Sequence, residues 1–218
     1  MLSQLRQAWK IKDVRKKILY TLMMIVVFRI GATIPVPGVD TSIIKEMVGN
    51  NSLLSLYNMF TGGAFSNFTL FALGIGPYIT ASIILQLLTI GFEGLDELQK
   101  SGEEGKKKIN KYTKYTALVL ALIQAIGITL GVVKGALKSS NGFFICTVIL
   151  TLVAASMLLM WIGDKITEKG LGNGSSIIIF VGIVSRVPQD IMSAASMVQS
   201  GKLAIWAAVL LAVVMLIT

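Results

Sequence analysis

Apolar and polar residues fall in long blocks along this chain, and the blocks predict its elements. An almost wholly apolar run from about Ile18 to Ile34 is closed by IPVPG, where Pro35 and Pro37 cannot donate backbone hydrogen bonds and restrict the residues before them. A polar stretch, Val39 to Asn51, leads to a short apolar run, Leu53 to Phe60, which breaks at Gly62-Gly63. A longer block, about Phe68 to Ile90, is interrupted near its start by Gly74, Gly76 and Pro77. Two more follow at about Tyr115 to Val133 and Phe143 to Ile162, and a fifth enters through EKGLGNGSS and runs to about Val187, with Pro188 marking its exit. A last apolar run, Leu203 to Thr218, reaches the end of the sequence.

A helix that crosses a bilayer needs about 20 predominantly apolar residues. Leu53 to Phe60 offers fewer than half of that, so it cannot cross. Backbone that enters a membrane without spanning it is tolerated only where protein buries it or where it lines a water-filled cavity, since lipid satisfies no free N–H or C=O. The reading is therefore five spanning helices, a half-inserted helix beside a cavity, and the start of a sixth span. Taken alone, the Gly62-Gly63 pair also fits an ordinary external turn.

Composition supports a membrane protein. Of 218 residues, 54% are hydrophobic and 14% charged, against roughly 25% charged in soluble domains. The net charge of +9 lies in short basic runs between apolar blocks with few aromatics among them, which argues against nucleic acid and for flanks beside anionic headgroups. Six of the basic residues (Arg6, Lys10, Lys12, Arg15, Lys16, Lys17) precede the first apolar block, which lacks a small-residue cleavage pattern and reads as an uncleaved helix. Counted by loop, fourteen Lys and Arg lie on one side of the predicted spans and five on the other, which puts the N-terminus in the cytoplasm and the half-helix on the external side. Arg29, near the external end of the first helix, reads most simply as an anchor reaching for headgroups.

No catalytic chemistry is visible. The chain has no histidine, no carboxylate within an apolar block and no nucleophile beside a base. Cys146 is the single cysteine, so neither a disulfide nor a zinc cluster is available. GLGNGSS lacks the lysine and the preceding strand of a phosphate loop, and reads instead as a helix entry with Ser175 or Ser176 near its N-cap. No enzyme activity, metal or cofactor is expected.

Four stretches, FRIGATIPVPG, NMFTGGAFSNFTLFALGIGPYITASIILQLL, EEGKKKINKYTKY and WIGDKITEKGLGNGSSIIIFVGIV, resemble the bacterial SecY/Sec61-alpha family of protein-translocation channel subunits. The likeness runs in order along the whole chain and covers the N-terminal half of that family. It implies an all-α polytopic membrane protein, one half of a pseudo-symmetric ten-helix channel. Residues 1–17 would form a cytoplasmic basic N-terminus, 18–202 the five-helix half including a plug at about 52–66, and 203–218 the start of helix six. By resemblance, Leu53, Leu56, Tyr57, Phe60, Gly62 and Gly63 belong to the plug that blocks the external funnel. Ile75, Ile79 and Ile179 match the hydrophobic pore ring, and Ser175 stands at a fourth ring position where the family usually carries an aliphatic residue. Such a ring seals by dewetting a constriction, so a hydroxyl there should make it easier to wet. Thr80, Ser82, Gln86 and Gln124 fall where the family places polar residues near the lateral gate; uncharged polar residues inside bundles also simply hydrogen-bond between helices.

The implied function is a passive conduit in the bacterial plasma membrane that passes secretory polypeptides and releases membrane helices sideways into lipid. Implied partners are the SecE and SecG subunits, the SecA ATPase or a ribosome, signal sequences with unfolded polypeptide, and anionic lipids, but no sequence-specific nucleic acid. The alternative is a small-solute secondary transporter, which also uses broken helices and repeats. A transporter would be expected to place an ionisable site near the midplane, and these apolar blocks offer only Arg29, near one end.

Overall fold

A computed structural model describes residues 11–136, 141–188 and 191–192. The first ten residues and the expected start of a sixth helix at Leu203–Thr218 lie outside them. Among the described residues the fold is helical, with one isolated bridge between Pro35 and Thr69 and no strand.

Helix α1 (Lys12–Gly31) begins earlier than the apolar block and so takes in the basic residues from Lys12 to Lys17. It ends three residues before Ile34, and the chain turns into IPVPG. The polar stretch after it is not a plain connection: residues Thr41–Asn50 form α2, capped by Asp40, whose Oδ1 accepts from the Ser42 N–H at 2.9 Å. Ile44 and Val48, four residues apart, bury one face of it. The half-helix α3 (Ser52–Phe60) follows at once, its N-terminus closed by Asn51, whose Oδ1 accepts from the N–H groups of Leu53 and Leu54 at 3.0 and 3.4 Å. A cap of this kind stabilises a helix by about 1 kcal/mol.

The expected second helix from Phe68 is corrected. Residues 61–75 form a chain of turns, and α4 (Gly76–Gly91) starts only at Gly76. Positive φ at Gly62, Gly63, Phe68 and Gly74 breaks any helix before that point. Pro77 lies in the first turn of α4, where no earlier carbonyl loses a partner, so it starts the helix instead of kinking it. The turns are buried: Ala64, Phe65, Phe68, Thr69, Phe71, Ala72 and Leu73 are at most 2% exposed. Backbone in such a place needs internal partners, and it has them. Val36 N–H donates to Phe68 O and Leu70 N–H to Ile34 O, each at 2.9 Å, while Thr69 and Gly74 N–H bond within the loop.

The charged connection between the apolar blocks that end at Ile90 and begin at Tyr115, which composition alone reads as a solvated loop, is largely helical. Helix α5 (Glu93–Lys100) bends 105° away from α4, and α6 (Glu103–Ile128) then runs back along it, continuing through a π turn (Thr129–Val133) and a 3₁₀ turn (Lys134–Ala136). Helix α7 (Gly142–Lys169) extends about two turns beyond Ile162, and α8 (Gly174–Val184) completes the described bundle. The cap of α8 is Asn173, whose Oδ1 accepts from the Ser175 and Ser176 N–H groups at 3.0 and 3.4 Å, so the serines occupy the first turn instead of the cap position. Among the described residues, two helical stretches, Glu103–Ala136 and Gly142–Lys169, are long and apolar enough to cross a membrane, with the bent pair α4–α5 a third if it is one span.

Besides a small cluster of Ala81, Ala117 and Met160 that ties α4 to α6 and α7, two larger cores hold these elements. One joins α2, the buried loop, the end of α6 and the start of α7 through Val36, Ile44, Val48, Phe65, Phe68, Leu73, Val133, Val148 and Leu152. The other joins α1, the same loop, α7 and α8 through Met24, Phe28, Phe71, Ile75, Leu159, Ile162, Ile166 and Ile178. The loop 61–75 is common to both, so it ties the bundle together.

Candidate functional site

Helix α3 is amphipathic, and its two faces meet different surroundings. Its outer face is apolar yet exposed, with Leu53 75%, Leu56 56% and Phe60 62% accessible. Its inner face is fastened down. The Tyr57 hydroxyl donates to Leu73 O at 2.9 Å, and its ring meets Phe65 edge to face at 5.1 Å. Buried Asn58 accepts the Ser66 N–H on its Oδ1 at 2.8 Å, while its backbone carbonyl takes the Gly63 N–H at 2.9 Å and the Thr61 hydroxyl at 3.1 Å. Asn58 thereby folds the loop back onto its own helix. Gly62 and Gly63 form the turn itself, Gly62 against the backbone of Gly182 in α8.

Beneath this element lies an isoleucine cluster. Ile75, the residue before α4, is 7% exposed, and Ile178 of α8 is 4% exposed; Ile79 and Ile179 sit half-buried at the edge of the same cluster, which also takes in Ala64 of the loop. The convergence depends on missing side chains. A Cβ built on Gly163 of α7 would stand 3.5 Å from Cδ1 of both Ile75 and Ile178, and one on Gly174 would fall 1.9 Å from Gly163 O. The α8 entry therefore closes on α7 at near backbone contact, and Ile75 before α4 packs its side chain against the same glycine. Ser175 lies in that junction, its N–H 3.7 Å from the same built Gly163 Cβ and its side chain facing Tyr78.

Thus Ile75, Ile79 and Ile179 share one cluster and Ser175 borders it. Sequence reasoning passed over Ile178, which is more buried than its neighbour Ile179, and the spacer Gly163. Ser82 and Gln86 line a groove of about 260 Å³ between α4 and α6, with Thr89, Gln99, Asn110 and Thr113. Thr80 is exposed outside this groove, and Gln124 is half-buried farther along α6, so the four polar positions are not brought together.

Charge gathers at the other end of the bundle from the α3 loop. Lys114 of α6 and Asp164 of α7 pair at 2.6 Å, and the carboxylate is only 15% exposed. At the end of α7, Lys165 bonds Glu168 at 2.7 Å; that bond and its charge hold the Glu168 carboxyl below the ordinary carboxylate range and raise the Lys165 ammonium. Among the described residues no group of His, Cys, Asp or Glu is arranged to hold a metal ion.

A helical membrane protein with a short apolar helix, a buried loop and an isoleucine cluster under it is the class these features define. Residues 69–218 match the family described as SecY, and the chain belongs to the SecY family. It is 42% identical over 200 residues to the protein translocase subunit SecY of Buchnera aphidicola subsp. Acyrthosiphon pisum (strain APS), covering 88% of this chain and 46% of that protein. It is 42% identical over 198 residues to the protein translocase subunit SecY of Escherichia coli (strain K12), covering 88% and 45%. The chain thus spans about half the length of the curated relatives it matches. Among solved structures it is similar in fold to Sec61 in the canine ribosome–channel complex from the endoplasmic reticulum, with a TM-score of 0.62 and 21% identity over 88% of this chain and 43% of that one. It is likewise similar to a structure titled "The plug domain of the SecY protein stablizes the closed state of the translocation channel and maintains a membrane seal", with a TM-score of 0.64 and 21% identity over 88% of this chain and 42% of that one.

Proposed function

We propose that this chain forms the N-terminal half of a protein-conducting channel, in which α3 with residues 61–66 is the plug and the isoleucine cluster is half of the constriction. The observation that carries the reading is the pairing of opposites in α3. An apolar outer face, left open by this bundle, sits on an inner face seated by only a few polar contacts at Tyr57 and Asn58. Such an element has a surface for a second half to cover and a modest number of bonds to break when it leaves.

Under this reading α1, α4, α6, α7 and α8 are the five spans, and residues 203–218 begin a sixth. The N-terminus is cytoplasmic in a bacterial plasma membrane, beside anionic lipid. Ile75, Ile79, Ser175 and Ile179 belong to the ring, and an extended polypeptide displaces their flexible side chains while ions meet a dewetted barrier. Thr80, Ser82, Gln86 and Gln124 border the lateral gate. A signal sequence opens that gate, and the chain passes through or leaves sideways as a membrane helix. Driving energy comes from SecA or a translating ribosome, with SecE and SecG as companion subunits.

The test is transport in purified vesicles. Channels whose N-terminal half is this chain should import an unfolded secretory precursor when SecA and ATP are supplied. Correctly inserted channels that import no precursor but carry a small solute down an ion gradient would replace this reading with the secondary transporter.

A further inference from the structure

Helix α7 passes the entry of α4 with a hydroxyl that bonds to nothing described around it. Ser156 is 7% exposed, and its Oγ has no hydrogen-bond partner among the described residues. Thr147, Thr151 and Thr167 of the same helix each donate to the carbonyl four residues back. Ser156 instead lines a cavity of about 10 Å³ shared by the α4 entry, α6 and α7. Gly74 lines the same cavity, and lacking a side chain it does so with its backbone. Its N–H is taken by Phe71 O at 2.8 Å. A turn would pair its carbonyl with an N–H three or four residues on, yet Pro77 has none and the Tyr78 N–H goes to Ile75 O at 3.1 Å. The break that starts α4 thus places a carbonyl without its turn partner at the cavity that holds the Ser156 hydroxyl.

Buried polar groups are hydrogen-bonded as a rule, and a water serves them where the space is polar and holds about 10–15 Å³, roughly one probe sphere. This cavity has that size and those groups, and none of the described residues lining it is charged, so neither an ion nor a larger solute suits it. We propose that it binds one water molecule, which donates to the Gly74 carbonyl and bonds the Ser156 hydroxyl. The water stands in for the N–H that Pro77 lacks. It also joins the residue before Ile75 to α7, so the α4 entry is held to the bundle by a polar tie as well as by apolar packing. Nothing in this proposal depends on what the chain transports.

Radiolytic footprinting of the assembled protein in lipid nanodiscs tests this, because hydroxyl radicals made by a brief X-ray pulse oxidise methionines that have water beside them. Met160 lines the cavity and is only 6% exposed. Met24 of α1 is equally buried, at 8%, but lies in a core away from the cavity and serves as the control. Met160 should be oxidised several times faster than Met24. Ser156→Ala should bring Met160 down to the Met24 rate and leave Met24 itself unchanged, which shows that the variant is folded. Its melting temperature should fall by a few degrees, since a hydrated hydroxyl stabilises, whereas deleting a buried hydroxyl without a partner would raise it. Met160 oxidised no faster than Met24, an oxidation rate in Ser156→Ala equal to the parent's, or a raised melting temperature would each overturn the bound water.

Discussion

A Cβ built on Gly62 would lie 2.8 Å from the carbonyl oxygen of Gly182 and 2.9 Å from its Cα, so the turn after α3 and the last turn of α8 meet backbone against backbone. Gly62 also has φ +65°, a conformation that costs other residues roughly 1–2 kcal/mol. Gly62→Ala should therefore unseat the loop, raising the open fraction about 5- to 30-fold. Maleimide labelling of A64C in the C146S background should accelerate accordingly. Gly182→Ala meets Phe60 O at 3.2 Å and the Gly62 N and Cα at 3.7 and 3.9 Å, looser contacts, and should do less.

Asn58 is the other hinge of the seat. Its side chain is buried and takes the Ser66 N–H at 2.8 Å, so Asn58→Ala leaves that donor unsatisfied at a cost of about 1–3 kcal/mol. The variant should assemble normally, yet leak ions more readily at rest; single-channel recordings that match the parent would contradict the role given to Asn58.

The Lys114–Asp164 pair fixes α6 to α7 with a carboxylate that is only 15% exposed. Removing one partner should hurt more than removing both. With Lys114 40% exposed and partly screened by solvent, each single variant, Lys114→Met or Asp164→Leu, should lose roughly 1–2 kcal/mol, and the double variant less than the sum. A double-mutant cycle on thermal stability in detergent measures the coupling.

The Lys165–Glu168 pair should behave differently. The Glu168 side chain is 57% exposed and has a lowered pKa, so the pair's contribution is present above the ordinary carboxylate range and lost as pH falls through the lowered value. Exposure and salt screen it. Glu168→Gln should leave the melting temperature unchanged at neutral pH and at pH 5 alike.

Ser175 offers a test of the constriction itself. If Ser175 stands in the proposed ring, replacing it by Ile supplies a branched aliphatic side chain there, which should make the gap harder to wet and lower the resting ion leak. An unchanged leak in Ser175→Ile channels would place this residue outside the barrier.

Much of this architecture is legible in the apolar blocks, because α1, α6, α7 and α8 each take in most or all of one. Their ends are less so. The charged segment 103–114 reads as a loop by composition, yet its residues continue α6, since neither Lys nor Glu disfavours a helix. Residues 68–75 read as helix because Phe68, Leu70, Phe71, Ala72, Leu73 and Ile75 form a nearly continuous apolar run, and such a run does not distinguish a buried helix from a buried turn. The glycines were the available signal, with Gly62, Gly63 and Gly74 all at positive φ. Helix α2 was hidden because only Ile44 and Val48 mark its buried face. The close crossings of Gly62 with Gly182 and Gly163 with Gly174 join residues from separate elements, and no local pattern announces such a meeting.

The central claim is that Ile79 and Ile179 border the path of a translocating polypeptide. With Cys146 replaced by Ser, single cysteines at Ile79, at Ile179 and at exposed Lys45 of α2 are tested in assembled channels against a stalled secretory chain carrying its own cysteine. Strong disulfide crosslinks at Ile79 and Ile179, dependent on a functional signal sequence and absent at Lys45, are the predicted result. A stalled chain that is demonstrably engaged yet reaches neither isoleucine would contradict it.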